Sequence, residues 1–279
     1  MAAYSSYARR AVKVASAAAD RLRPHVAGVV ILLYHRVGGG SSLEIDLDAA
    51  RFDEQIARVA SRGAVSLGSA LERLASAAPA ERAPSVVVTF DDGTADFVDV
   101  ALPILVRHQV AATLYLATDF VEGGNTVPRG ARPVSWAGLR DACATGIVNI
   151  GSHTHSHRLL DRISESDAAD ELDRSIDLIG EHLGQTARDF AYPKAVAATA
   201  GVAELVHDRF RSAALAGTRV NPYRNDGGRH PTDLYRLARS PIQVSDGMQY
   251  FERKLAGGMA LEDALRRAMN RVRYAKAAT

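Results

Sequence analysis

Residues 85–105, SVVVTFDDGTADFVDVALPIL, constrain the fold of this chain more than any other stretch. Val86, Val87 and Val88 are β-branched and run through Thr89 into Phe90, the unbroken apolar pattern of a strand covered on both faces. Such a strand needs helices on either side, which points to a parallel α/β architecture. Gly93 permits a turn, Thr94 is placed to cap the next helix, and Phe97, Val98, Ala101, Leu102 and Leu105 recur at helical spacing. Between strand and turn stand Asp91 and Asp92. Side-by-side carboxylates repel, so a cation, a shared proton or full solvation has to compensate them. The C-terminal strand end is also where parallel α/β folds collect catalytic groups.

Residues 151–157, GSHTHSH, follow a second strand-like run at 147–150. Three of the chain's nine histidines, His153, His155 and His157, fall within five residues. His153 and His157 have a spacing at which two side chains can converge on one ion. Neutral imidazoles with a carboxylate suit Zn2+ or neighbouring first-row ions such as Co2+ or Ni2+, and three protein ligands leave a position open for chemistry.

The same strand-then-helix alternation recurs along the chain. Strands are predicted over 29–34, 64–67, 111–116, 212–216 and 234–244, with a strand end at 190–193. Helices are predicted from Asp48 to Gly63, over 69–77 and 136–145, from Ser164 through Leu183, and over 202–210, 247–255 and 261–274. Residues 78–84 read as a surface connection, 119–133 as a long loop and 221–232 as a polar loop. With no repeat and no low-complexity linker in its 279 residues, the chain fits one parallel barrel better than two domains. The expected organisation is an amphipathic basic helix at 1–27, the barrel at 28–245, and basic helices packed on it at 246–279.

In the N-terminal helix, Tyr4, Tyr7, Ala11, Val14, Ala18 and Leu22 form the apolar stripe, expected to pack on the body or touch an anionic membrane. The net charge of +2 divides into +4 over 1–23, +3 over 260–279 and −5 between them. Basic ends on an acidic body do not make a nucleic-acid binder with a basic working face. The one cysteine, Cys143, excludes an internal disulfide and reads as a small buried hydrophobe. No secretory signal is evident, and the expectation is a cytoplasmic protein, with membrane association through its basic ends.

TFDDG followed by HTHSH, with Phe190-Ala191-Tyr192-Pro193 later, resembles the polysaccharide deacetylases, the NodB-homology or carbohydrate esterase family 4 enzymes, over about residues 28 to 245. The resemblance implies a distorted (β/α) barrel of seven or eight strands with its site at the C-terminal strand ends. It implies a metal-dependent hydrolase that removes N-acetyl groups from an N-acetylated sugar or glycan by means of a metal-bound water. Asp92, His153 and His157 would bind the metal and Asp91 would be the general base. His155, which the family motif skips, would support the ligands from behind or be structural. Tyr192, Pro193 and Lys194 would form the turn whose backbone N–H at Lys194 completes an oxyanion hole. Here Lys194 replaces the usual aromatic and Ala195 the usual Gly. The strand at 234–241 lacks the histidine that usually acts as general acid. In the branch that resembles biofilm poly-N-acetylglucosamine deacetylases, the acid is the histidine of a Tyr-His pair, which Tyr34-His35 matches, and imidazole chemistry suits an amine leaving group.

Three other functions compete with this one. FDDGT resembles the signature of haloacid-dehalogenase phosphatases, but the nucleophile's position holds Phe90, which cannot form an aspartyl-phosphate. A sugar-binding barrel that has lost turnover, or a deacylase of a small non-sugar amide, stays open, as does a lipid-linked form of the sugar.

Overall fold

A computed structural model of the chain describes residues 2–22, 26–76, 84–123, 125–223 and 232–275. Most of the connection at 78–84, the middle of the loop at 221–232, and Arg23 and Lys276 lie outside the described residues. Among the described residues ten strands occur in chain order: β1 (Gly28–Tyr34), β2 (Arg36–Val37), β3 (Asp46–Leu47), β4 (Ser85–Asp92), β5 (Ala112–Leu116), β6 (Val148–Ser152), β7 (Asp189–Ala191), β8 (Ser212–Ala216), β9 (Asn221–Pro222) and β10 (Leu237–Pro241). Seven of them run parallel in the order β1-β4-β5-β6-β7-β8-β10, and β10 pairs back onto β1 to close the barrel. Short β9 adds antiparallel to the start of β1, and β2 and β3 form a two-stranded sheet of their own.

Helices cover the outside: α2 (Ala49–Ser61), α3 (Leu67–Ala75), α4 (Leu102–His108), α5 (Thr118–Glu122), α6 (Trp136–Ala144), α7 (Glu165–Leu183), α8 (Ala200–Arg209) and α9 (Gly247–Leu255). The terminal helices α1 (Ala2–Ala19) and α10 (Ala260–Ala275) pack against each other. Two expected caps form: the Asp48 carboxylate accepts from the Arg51 N–H at 2.8 Å, and the Ser164 hydroxyl from the Asp167 N–H at 3.1 Å.

Strand alternation sorts the core into two shells. Val30, Leu32, Tyr34, Val86, Val88 and Phe90 point outward into the larger core beneath the helices. Val29, Ile31, Val87, Tyr115, Ala214 and Leu237 belong to a separate cluster that fills the barrel. Continuing that inward phase along β4 and β10 brings the series to Thr89, Asp91 and Arg239.

Several expectations need correction. Residues 64–67 are not a strand: Ala64 makes an isolated bridge to Val86, and Ser66 caps α3, which begins at Leu67. Thr94 does not cap a helix. Its hydroxyl donates to the His35 carbonyl at 3.5 Å, and the chain beyond it starts as a π-helical turn, Phe97–Ala101, before α4. The last strand is shorter than 234–244.

In α1 the described part of the stripe, which excludes the side chains of Tyr4 and Tyr7, does not pack on the body. Ala11, Val14 and Ala18 are exposed, as is Leu22 just beyond the helix, while Lys13, Ser16 and Ala17 are buried. The reason is an ion cluster. Lys13 Nζ stands 2.5 Å from Asp246 Oδ1 and 2.6 Å from Glu262, and Lys254 Nζ approaches the other Asp246 oxygen at 2.8 Å. A paired lysine outweighs an alanine-rich face, whose burial stabilises little.

This cluster carries a pH prediction. Burial favours the neutral Asp246 acid, but Lys254 and Lys13 outweigh it and hold the carboxyl below its ordinary 3.8. A depressed folded value contributes stability that is present above about pH 4 and lost as the pH falls further. Asp246→Asn is therefore expected to cost about 3–5 kcal/mol at neutral pH and to make the acid limb shallower. Urea denaturation across the acid range checks this, and a variant whose stability falls in parallel with the parent's refutes it.

Candidate functional site

Asp91 and Asp92 end β4, where two successive strand residues would ordinarily point to opposite faces. Asp91 keeps the inward phase. Asp92 takes a left-handed backbone with φ 74°, and Gly93 follows at φ 91°, so the second carboxylate turns back to the same opening. An alanine Cβ at Gly93 would stand 2.4 Å from Leu116 Cδ1, so the turn needs glycine for space as well as for its dihedral.

The histidines follow β6 in the same manner. Thr154 at φ 66° breaks the extended chain straight after His153, and His157 itself sits at φ 59°. A β-branched residue held left-handed costs on the order of 1–3 kcal/mol, and such strain gathers at working sites. The surrounding chain holds it in place. Glu171 on α7 accepts from the Ser156 N–H at 2.7 Å and from the Ser156 hydroxyl, and its carbonyl accepts from the His155 N–H at 3.0 Å. The break also sends His155 elsewhere, with Nδ1 2.9 Å from Thr118 Oγ1 and Nε2 3.6 Å from Asp119.

The remaining two imidazoles meet the aspartates. Ligand atoms of Asp92, His153 and His157 lie within 4.8 Å of one another. His157 Nε2 is 3.5 Å and His153 Nε2 3.7 Å from Asp92 Oδ1, and His153 Nε2 is 3.8 Å from Asp91 Oδ2. His153 Nδ1 stands 2.6 Å from the Ala191 carbonyl, which can only accept, so the proton is on Nδ1 and the Nε2 lone pair faces the carboxylates. Burial pushes the His153 imidazole below its ordinary value, and burial with the nearby His153 pushes His157 down to about 3. Two neutral imidazoles with free lone pairs beside an ionised carboxylate are the donor set a divalent transition-metal ion needs, so the residues fit such an ion.

Asp91 has a partner that the sequence reading missed. Arg239 of β10, 1% exposed, donates to both Asp91 oxygens at 2.6 and 2.9 Å. Its guanidinium also lies 5.0 Å from the centre of the Tyr115 ring. Burial alone would raise the Asp91 carboxyl, but Arg239 outweighs it and holds the group at about 2. The strand Leu-Ala-Arg-Ser-Pro gives no apolar period to mark its inward phase, on which a charge is buried only with a partner.

His35, at the end of β1, lines the same cavity of about 270 Å3 as Asp91, Asp92, His153 and His157. Its Nδ1 is buried without a hydrogen-bond partner. Burial would raise the Asp92 carboxyl as well, and His35, His157 and His153 together bring it below its ordinary value. Lys194 and Ala195 line the cavity, whereas Tyr192 and Pro193 do not. The Tyr192 ring packs edge-on against Phe190 at 5.0 Å, and Pro193 is buried behind the turn. Lys194 and Ala195 adopt φ 54° and 56°, so this backbone takes the left-handed turn without the usual glycine.

Residues 78–207 match the family model described as polysaccharide deacetylase, a span that includes Asp91, Asp92, His153, His157 and Lys194 but not His35 or Arg239. The structure of the deacetylase PplD of Streptococcus pyogenes in complex with acetate is similar at 20% identity and a TM-score of 0.69, over 82% of this chain and 99% of that one. IcaB from Ammonifex degensii is similar at 22% identity and a TM-score of 0.66, over 84% and 98% of the two chains. A de-N-acetylase from Aggregatibacter actinomycetemcomitans is 16% identical with a TM-score of 0.63, over 82% and 99%. At such identities the likeness bears on the fold, and the fold is the seven-stranded parallel barrel described above. No curated protein sequence matches the chain.

Proposed function

Because residues 78–207 belong to the polysaccharide deacetylase family, whose members hydrolyse C–N bonds, we propose that this chain removes the acetyl group from an N-acetylated sugar with the help of a divalent metal ion. The observation that carries this reading is the convergence of Asp92, His153 and His157 beside an ionised Asp91. Zn2+ is the ion proposed, with Co2+ or Ni2+ also suited to two imidazoles and one carboxylate. When bound there, the ion supplies Lewis acidity toward the amide carbonyl and makes water more acidic.

Asp91 takes the proton of the attacking water. Arg239 keeps this buried carboxylate ionised and aimed, at the cost of basicity, so the water must already be acidified for the transfer to run. The Lys194 backbone N–H stabilises the developing oxyanion from the left-handed turn. His35 delivers a proton to the departing nitrogen. A catalytically impaired sugar binder would more naturally have lost one member of the set, and all four side chains meet at one opening.

Acetate release from N-acetylated glycans by the metal-loaded chain, read together with its metal content, tests the reading. Stoichiometric metal with no acetate released from any glycan rejects it. His35→Ala is expected to keep the metal and lose about 10²–10⁴-fold in turnover. Normal turnover in that variant removes His35 from the mechanism.

The terminal helices also support peripheral contact with anionic lipid. Val14 and Leu22, with Leu261, Leu265 and Met269 of α10, are exposed apolar side chains, and the same terminal segments expose Arg9, Arg10, Arg21 and Arg267. Among the described residues no helix is long and apolar enough to cross a membrane. Flotation with anionic vesicles at low salt is expected to carry the chain upward, and a chain left at the bottom of the gradient rules the contact out.

A further inference from the structure

Beside the metal-site cavity lies a larger one of about 510 Å3, and the two share Lys194, Ala195, Ala216, Arg266 and Asn270 in their walls. The second cavity is lined by six cationic side chains: Arg162, Lys194, Arg219, Arg236, Arg266 and Arg267. Among the described residues, the acids seen beside them are Asp161, which also lines it and lies 3.6 Å from Arg162, and Asp263, which is buried. Asp263 is shared: Arg267 Nε approaches it at 3.0 Å, and Arg266 donates to its other oxygen. Lys194, Arg219 and Arg236 have no carboxylate within ion-pair distance among the described residues. The setting also works against the charge on Arg219. Desolvation at the wall opposes it, Arg267 and Arg236 repel it, and Asp263 is the acid that acts in its favour.

Like charges gathered in a concave wall raise one another's energy unless an anion enters among them. Arginine forks bind phosphate oxygens in pairs, and the excess of cations over acids exceeds what one carboxylate would neutralise. The volume is that of a ligand site, and its wall shares Lys194, Ala195, Ala216, Arg266 and Asn270 with the metal-site cavity, so the two are neighbours. Resting on the deacetylase reading above, we infer that the substrate is an N-acetylated sugar bearing a phosphate or diphosphate ester: the acetamide sits at Asp92, His153 and His157, and the phosphate among Arg219, Arg236, Arg266 and Arg267. A sugar nucleotide and a lipid-borne sugar diphosphate share that chemistry.

The test begins with inorganic diphosphate titrated calorimetrically into the full chain stripped of divalent metal, so that no ion is present to chelate the probe. Saturable binding is expected, weakened at least tenfold in Arg219→Gln/Arg236→Gln and unchanged in His157→Ala. Both arginines are exposed at the wall, so the double variant should keep the circular dichroism and melting temperature of the parent. Absence of saturable binding, or equal affinity in the folded double variant, overturns the inference. The metal-loaded chain is then given chitotriose, UDP-N-acetylglucosamine and a polyprenyl-diphosphate N-acetylglucosamine in micelles. At least tenfold higher kcat/KM on one of the two diphosphates is expected, and the double variant should lose that advantage while acting on chitotriose as before. The better diphosphate then identifies the soluble or the lipid-borne source. Preference for chitotriose sinks the anion inference and leaves the deacetylase reading standing. Tight diphosphate binding with no acetate from any of the three does the reverse.

Discussion

Arg239→Met is expected to destabilise the protein by about 3–5 kcal/mol, and Asp91→Asn to lose most of its turnover as well as some stability. The argument starts from burial. Asp91 is 4% and Arg239 1% exposed, and each finds its charge partner in the other through two hydrogen bonds. Removing the guanidinium strands a carboxylate inside a barrel lined by valine, isoleucine, leucine and tyrosine, which is far more costly than losing an exposed ion pair. Asparagine at 91 still offers one acceptor to Arg239 but no charge, so part of the guanidinium's compensation goes. Replacing both partners by apolar groups of similar shape is often neutral, so Asp91→Leu/Arg239→Met should recover most of the stability lost in Arg239→Met. It should nevertheless remain inactive, because no group is left to accept the water's proton; the expected loss is about 10²–10⁴-fold. Denaturant unfolding and acetate release on the four proteins separate the two roles. If the double variant regained turnover along with its stability, Asp91 would be a structural anion and the base would have to be sought elsewhere.

The outline of the barrel was legible in the sequence because several strands, those at 29–34, 86–90 and 112–116, are buried on both faces and read as nearly unbroken apolar runs. Asp91, Asp92, His153 and His157 were legible because such residues at strand ends have few structural uses. Arg239 was not, since its partner lies 148 residues away and its strand β10 meets β1 only when the barrel closes. Glu171 was hidden in the same way. It sits among the apolar positions of α7, and its target, the Ser156 loop, is fixed by tertiary packing. The facing of α1 was misread for an energetic reason: spacing identifies an apolar stripe but not an acidic pair waiting at Asp246 and Glu262. The short strands β2, β3 and β9 have two residues each, too few for a period to show.

Stripping divalent metal with a chelator is expected to abolish turnover while leaving the barrel folded. Charge stabilisation by such an ion is worth several kcal/mol, about three decades in rate or more at about 1.4 kcal/mol per decade. The fold does not depend on it in the same degree. Asp92, His153 and His157 stand at the ends of β4 and β6, and the pairing of β4 with β1 and β5 and the packing of both core clusters lie below them. The chain should therefore lose only the stabilisation that binding supplies by mass action, a few degrees in melting temperature rather than its structure. Asp92→Asn makes the sharper test. Asparagine tolerates the left-handed backbone that residue 92 needs, so the turn is kept while the charge is removed. That variant should have the secondary structure of the parent, bind the ion more weakly by at least about tenfold, and regain part of its turnover at high metal concentration. His157→Ala should not be rescued in this way, because it removes a donor altogether. If chelation unfolded the chain, the ion would be a structural staple, and the three residues would have to be read as a stabilising clip instead of a reaction centre.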